Sequence, residues 1–115
     1  NYGHTFGHAI EKLTHYETFT HGIAVSLGMR VAARAAVLLH KMTAEHEARQ
    51  NRLLDSLGFP KVYDIDVEAA WEAMAVDKTA EKGPRVYILP TKIGAVEKVC
   101  NIDKNIVSES WKAIK

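Results

Sequence analysis

Residues 20–42 read THGIAVSLGMRVAARAAVLLHKM, and the fold turns on how this stretch is read. Thr20 is a helix N-cap type, because its hydroxyl can accept from an amide of the first turn. Beyond it the spacing predicts one long helix over about His21 to Met42. Ala24, Gly28, Ala32 and Ala36 recur every four residues, which lines them up on one face. Small side chains in that stripe let another backbone approach closely, while Leu27, Met29, Val31, Val37 and Leu38 widen the apolar surface. A helix apolar on most sides is buried on most sides. The stretch is therefore expected at the centre of a helical bundle.

Working outward, His4 to about Thr14 reads as a helix, with Phe6, Ile10 and Leu13 at helical spacing. Residues 15–20 form a loop without periodicity. Thr43 is placed to cap a third helix to about Leu57, with Gly58 as its terminator and Pro60 just beyond. Asp66 caps a fourth, presenting Ala70, Trp71 and Met74. Lys82-Gly83-Pro84 is turn chemistry, and the period then changes. Arg85 to Leu89 is β-branched and aromatic enough for a strand, residues 90–94 turn the chain, and Ala95 to Val99 alternates as its partner. Asp103 caps a last helix containing Ile106, Val107, Trp111 and Ile114. The expected fold is mainly α, a helical bundle carrying one small β-hairpin.

With 115 residues the chain suffices for one small core. It is 47% hydrophobic and 25% charged, with a net charge of +1, and lacks the basic stripe of a nucleic-acid binder. A single cysteine, Cys100, cannot form an internal disulfide. No apolar run approaches the roughly 20 residues that span a bilayer, so no membrane partner is expected. The chain opens on Asn1 without an initiator Met, inside a dense motif, and is expected to be a fragment of a longer protein.

That motif carries the chemistry. Residues 1–11 read NYGHTFGHAIE, followed by His21-Gly22. His4 and His8 are four apart and share a helix face, about 6 Å between Cβ atoms. Gly3 and Gly7 clear the space beside them for a metal, a ligand or a neighbouring helix. A short loop can fold His21 back towards His4. Neutral imidazoles ligate zinc, and a catalytic zinc takes three protein ligands and keeps one position open. The same pair also reads as an ordinary polar helix face, and spacing alone leaves both open. Glu11 stands one turn past His8, as a further ligand, as the partner of a base or as a local cap. His15, His40 and His46 lack the glycine context and read as surface residues.

The run from Asn1 to Glu11 closely resembles the N-x-G-H-T-x-G-H-A-x-E segment of 3-dehydroquinate synthases. His21-Gly22, Ala24-Val25 and Gly28-Met29 resemble that family's H-G-x-A-V-x-x-G-M segment. Asp77-Lys78, Gly83, residues 87–90 (YILP) and Ile93-Gly94 resemble its downstream D-K…G…V-L-P…I-G stretch. Two positions depart: Ile23 stands where many members carry glutamate, and Thr79 where a second lysine commonly follows. The resemblance implies that His4 and His21 are ligands of a catalytic Zn2+ (or another divalent metal such as Co2+), the third being a glutamate outside this chain. It implies a substrate-contacting, proton-handling role for His8 and substrate contacts for Asn1 and Lys78, with Lys78 also counted among the catalytic residues. The implied reaction turns 3-deoxy-D-arabino-heptulosonate 7-phosphate, a sugar-acid phosphate, into 3-dehydroquinate and phosphate, with NAD held by a separate N-terminal domain. A cytoplasmic homodimer is implied for the full-length enzyme. The rivals are cyclitol-forming cyclases, metal-dependent polyol dehydrogenases and, in another class, a non-catalytic helical interaction module.

Overall fold

A computed structural model of the chain describes residues 2–14, 20–76, 86–92, 94–100 and 102–115. The elements run α1 (His4–Leu13), α2 (His21–Leu38), α3 (Ala44–Ser56), α4 (Val67–Val76), β1 (Val86–Lys92), β2 (Ala95–Cys100) and α5 (Lys104–Trp111), closed by a 3₁₀ turn, Lys112–Ile114. The fold is mainly α with one antiparallel hairpin. Asn1, His15, the Lys82-Gly83-Pro84 turn, Asp77, Lys78, Thr79 and Ile93 lie outside the described residues.

Four of the helices begin on the expected caps. Thr20 accepts from the Ile23 amide at 3.3 Å and Thr43 from the His46 amide at 3.1 Å. Asp66 accepts from Glu68 and Ala69, and Asp103 from Asn105 at 2.9 Å. Each bond satisfies an amide that the helix itself leaves without a partner. α1 starts differently: Gly3 precedes it in the left-handed region, φ 83°, with no side-chain cap.

α2 is the central element, packed against α1, α3, α5, β1 and the closing turn. It is long and apolar enough to cross a bilayer by length and composition, but Ala24, Leu27, Val31, Ala32, Ala33, Ala35 and Ala36 are fully buried within the fold. It ends earlier than expected, at Leu38 rather than Met42. His40 adopts φ 61°, and the Lys41 amide bonds back to the Ala36 carbonyl at 2.8 Å. This is the closing geometry usually supplied by glycine, and it turns Met42 into the core, 6% exposed. α3 ends on the expected Gly58, φ 86°, with the Phe59 amide on the Leu54 carbonyl at 3.1 Å.

β1 is longer than expected, because Pro90 and Lys92 still pair, with Val96 and Ala95. A two-stranded sheet has only edge strands, where proline is tolerated, and the register shifts between Pro90 and Lys92. Tyr87 and Leu89 point inward at the period of a strand. Tyr87 meets Phe6 of α1 at 5.8 Å between ring centroids, and Phe6 meets Trp111 of α5 edge-on at 5.3 Å. This aromatic cluster joins the first helix, the hairpin and the last helix in one core.

The α1–α2 contact is made by backbone. A Cβ on Gly28 would lie 2.6 Å from the Gly7 nitrogen and 3.0 Å from the Gly7 Cα, and would clash with the Gly3 carbonyl oxygen. Alanine at an interior helix position gains about 1 kcal/mol in propensity over glycine, but here the overpacking dominates. Gly28→Ala is expected to lower stability by about 1–3 kcal/mol net. Gly22→Ala, where a Cβ meets nothing within 4 Å, should leave stability unchanged or slightly raised. Urea unfolding of the two variants checks this; equal stability of both would contradict the close crossing.

Candidate metal centre

The crossing of Gly7 over Gly28 carries the start of α2 alongside α1 and brings three of the sequence-predicted histidines to one end of the helix pair. His4 and His8 lie on the exposed side of α1, and His21 is the first residue of α2. The rings of His4 and His21 stand 5.2 Å apart between centroids, their planes tilted by 58°. Two imidazoles sharing a tetrahedral zinc at about 2.0–2.1 Å per Zn–N bond put their centroids roughly 5 Å apart. The pair therefore fits two corners of such a site.

Glu11 lies beneath the histidines. Its side chain is 10% exposed, against 45% for His8 and 63% for His21. One carboxylate oxygen, Oε2, is 2.9 Å from His21 Nδ1, and the other, Oε1, is 3.6 Å from His8 Nδ1. In the structure Glu11 is thus hydrogen-bonded to His21 and lies close to His8. Among the described residues no three or more His, Cys, Asp and Glu side chains converge closely enough to hold one ion. The α-helical spacing of Glu11, three residues after His8, signals a shared face; its reach to His21 depends on the second helix and has no local signal.

The N-terminal end of the site is tied down from behind. Tyr2 donates to the Met29 carbonyl at 3.4 Å, and Gln50 Nε2 donates to the same carbonyl at 3.2 Å. Burial, and after it the nearby Glu47 carboxylate, pushes the Tyr2 phenol well above its usual range, so it remains a donor. His46 and His40 stand elsewhere, on α3 and at the end of α2. The two other residues expected at the site, Asn1 and Lys78, lie outside the described residues.

Residues 1–80 match the family model described as 3-dehydroquinate synthase C-terminal. The chain belongs to this family. It is 47% identical over 100 residues to the 3-dehydroquinate synthase of Rippkaea orientalis (strain PCC 8801 / RF-1), covering 84% of this chain and 27% of that one. To the 3-dehydroquinate synthase of Helicobacter pylori (strain P12) it is 42% identical over 115 residues, covering 96% of this chain and 34% of that one. It thus spans only about a third of the length of the curated relatives it matches. In fold it is similar to 2-deoxy-scyllo-inosose synthase complexed with carbaglucose-6-phosphate, NAD+ and Co2+ (TM-score 0.79, 24% identity, 97% of this chain and 34% of that one). It is also similar to the 2-epi-5-epi-valiolone synthase of Streptomyces hygroscopicus subsp. jinggangensis 5008 with NAD+ and Zn2+ (TM-score 0.85, 19% identity, 98% of this chain and 31% of that one).

The Tyr2 anchor gives a pH-dependent test. An unfolded tyrosine ionises near pH 10, and the folded Tyr2 only above that. Its stabilisation is therefore complete below about pH 10 and is lost as pH rises beyond it, because the unfolded state then binds fewer protons than the folded one. Tyr2→Phe should cost about 0.5 kcal/mol at neutral pH, the low end for a long hydrogen bond, and should flatten the alkaline fall. Urea midpoints at pH 7 to 11 read both; an unaltered alkaline slope would show that Tyr2 does not cause it.

Proposed function

We propose that this chain is the metal- and substrate-binding part of a 3-dehydroquinate synthase, which turns 3-deoxy-D-arabino-heptulosonate 7-phosphate into 3-dehydroquinate and phosphate. The observation that carries the reading is the 5.2 Å approach of the His4 and His21 rings inside the segment that matches the family model. A protein that merely assembled through its helices has no need of two exposed imidazoles held at ligand spacing. His4 and His21 would hold a divalent metal, Zn2+ or Co2+, with the third protein ligand and the NAD site contributed by the part of the enzyme that precedes this segment. The two synthases of the same fold that hold NAD+ with Co2+ or Zn2+ support that pairing of cofactors. When bound, the metal supplies Lewis-acid stabilisation and orientation of substrate oxygens.

The roles proposed for the chain's own residues rest on position for His8 and on the family motif for Asn1 and Lys78. His8 is one helical turn beyond His4 and exposed, with Nδ1 turned towards Glu11. His8 is proposed to exchange a proton with substrate, work that an imidazole can do as general acid or base. By their match to the family motif, Lys78 and Asn1 are the proposed substrate contacts, the charge of Lys78 suiting the phosphate and carboxylate of the substrate. The full-length enzyme is proposed to work in the cytoplasm as a homodimer.

Single alanine variants of the full-length enzyme separate these roles. His4→Ala and His21→Ala should lose both metal and turnover, since each removes a ligand from a three-ligand site. His8→Ala should keep its metal while kcat falls by roughly 10²–10⁴-fold. Metal stoichiometry measured beside kcat decides: loss of metal from His8→Ala would make His8 a ligand. The chain of 115 residues on its own is expected to show no turnover, and activity in it would refute the division between two domains.

A further inference from the structure

We propose that Glu11 is a positioning residue for both kinds of histidine at this site: one carboxylate oxygen sets the tautomer and ring plane of His21, and the other steers His8. The proposal deepens, and rests on, the reading of His4 and His21 as metal ligands. Three features of the molecule support it.

The first is burial. The Glu11 side chain is 10% exposed and lies under imidazoles that are 45% and 63% exposed. A carboxylate withdrawn from water is costly unless donors compensate, and the two Nδ1 atoms reach its two oxygens from the solvent side. The second is chemistry. An ionised carboxylate can only accept, so the 2.9 Å contact between Oε2 and His21 Nδ1 puts the ring proton on Nδ1. Nε2 is left with its lone pair, which is the form a metal requires. The contact also fixes the rotation of the His21 ring, an exposed side chain that would otherwise turn freely. The third is placement. Glu11 follows His8 by three residues and His4 by seven on one rigid helix, so its carboxylate and the two α1 imidazoles share a face. His21 arrives beside them from α2 across the Gly7–Gly28 contact. At 3.6 Å the His8 contact lies beyond hydrogen-bond length, so Glu11 acts on His8 as a nearby carboxylate and not through a hydrogen bond.

The test uses the full-length enzyme with Glu11→Ala, Glu11→Gln and His21→Ala. In the metal-free protein, imidazole ¹⁵N shifts report the His21 tautomer: the parent should carry its proton on Nδ1, and Glu11→Ala should move it towards Nε2. The zinc dissociation constant of Glu11→Ala, measured by competition with a chromophoric chelator, should rise about 10–100-fold. A Glu11 that only stabilised the fold would lower the thermal midpoint and leave the tautomer in place. Parent tautomer and parent zinc affinity in Glu11→Ala would overturn the proposal. If Glu11→Ala does not fold, Glu11→Gln decides, since it keeps shape and an acceptor but not the charge: a dissociation constant raised about tenfold supports the proposal, and parent affinity overturns it. His21→Ala keeps the two readings apart. Metal retained there overturns the ligand reading, while metal lost there with parent behaviour in the Glu11 variants overturns the positioning role alone.

Discussion

Gly28 of α2 meets Gly7 and the Gly3 carbonyl of α1 with no room for even one methyl group between them. Two helices in contact through side chains can slide or roll as those side chains repack. Two helices in contact through backbone cannot, because the atoms that touch have no rotamers. The crossing therefore fixes how α2 lies along α1, and with it where His21 stands relative to His4, His8 and Glu11. Gly3 belongs to the same contact: a Cβ there would come within 2.7 Å of the Met29 side chain and 2.9 Å of the Val25 carbonyl. Its left-handed backbone starts α1 just ahead of His4. The same three glycines thus set the helix pair and the geometry of its exposed end.

The opposite side of α2 is held by different physics. Arg30, almost wholly buried, bonds Asp55 at 2.8 Å and the Pro60 carbonyl at 3.1 Å. Arg34 bonds Glu47 of α3 at 2.8 Å, and Gln50 bonds the Met29 carbonyl. Burying paired charges gives little net stability over an apolar replacement, but breaking one partner leaves a costly orphan. These bonds are directional, so they define the rotation and height of α3 on α2 where a purely apolar face would permit several. α2 is thereby constrained by backbone contact on one side and by directional bonds on the other, and its alanines fill the space between.

How much of this can be read from the sequence depends on how local the cause is. The caps Thr20, Thr43, Asp66 and Asp103 and the terminator Gly58 act within one turn, and their residue types reveal them. The end of α2 is not legible in the same way, because His40 takes the left-handed position without being glycine and the apolar pattern runs on through Met42. Met42 is nonetheless buried, just beyond the turn made at His40. The hairpin is legible as a period change, but its full length is not, since Pro90 reads as a breaker and only the two-stranded sheet makes it acceptable. The histidine face of α1 follows from i,i+4 spacing, and the small-residue stripe foretells the close approach at Gly28. The bond from Glu11 to His21 is invisible at this level, because it joins residues on two helices and exists only once the crossing has set their register.

The site's exposure follows from the same construction. Glycine-to-glycine contact draws the two backbones together at their crossing, and the histidines stand beside it at the end of the helix pair, on the outer surface. Here the imidazoles remain 45% exposed at His8 and 63% at His21, and the buried carboxylate of Glu11 is hydrogen-bonded to His21. Rigid backbone below, the buried carboxylate between and exposed rings above leave these histidines open on their outer side. Packing holds an exposed side chain only loosely, and His21 has in addition the ring of His4 beside it and the Glu11 carboxylate beneath.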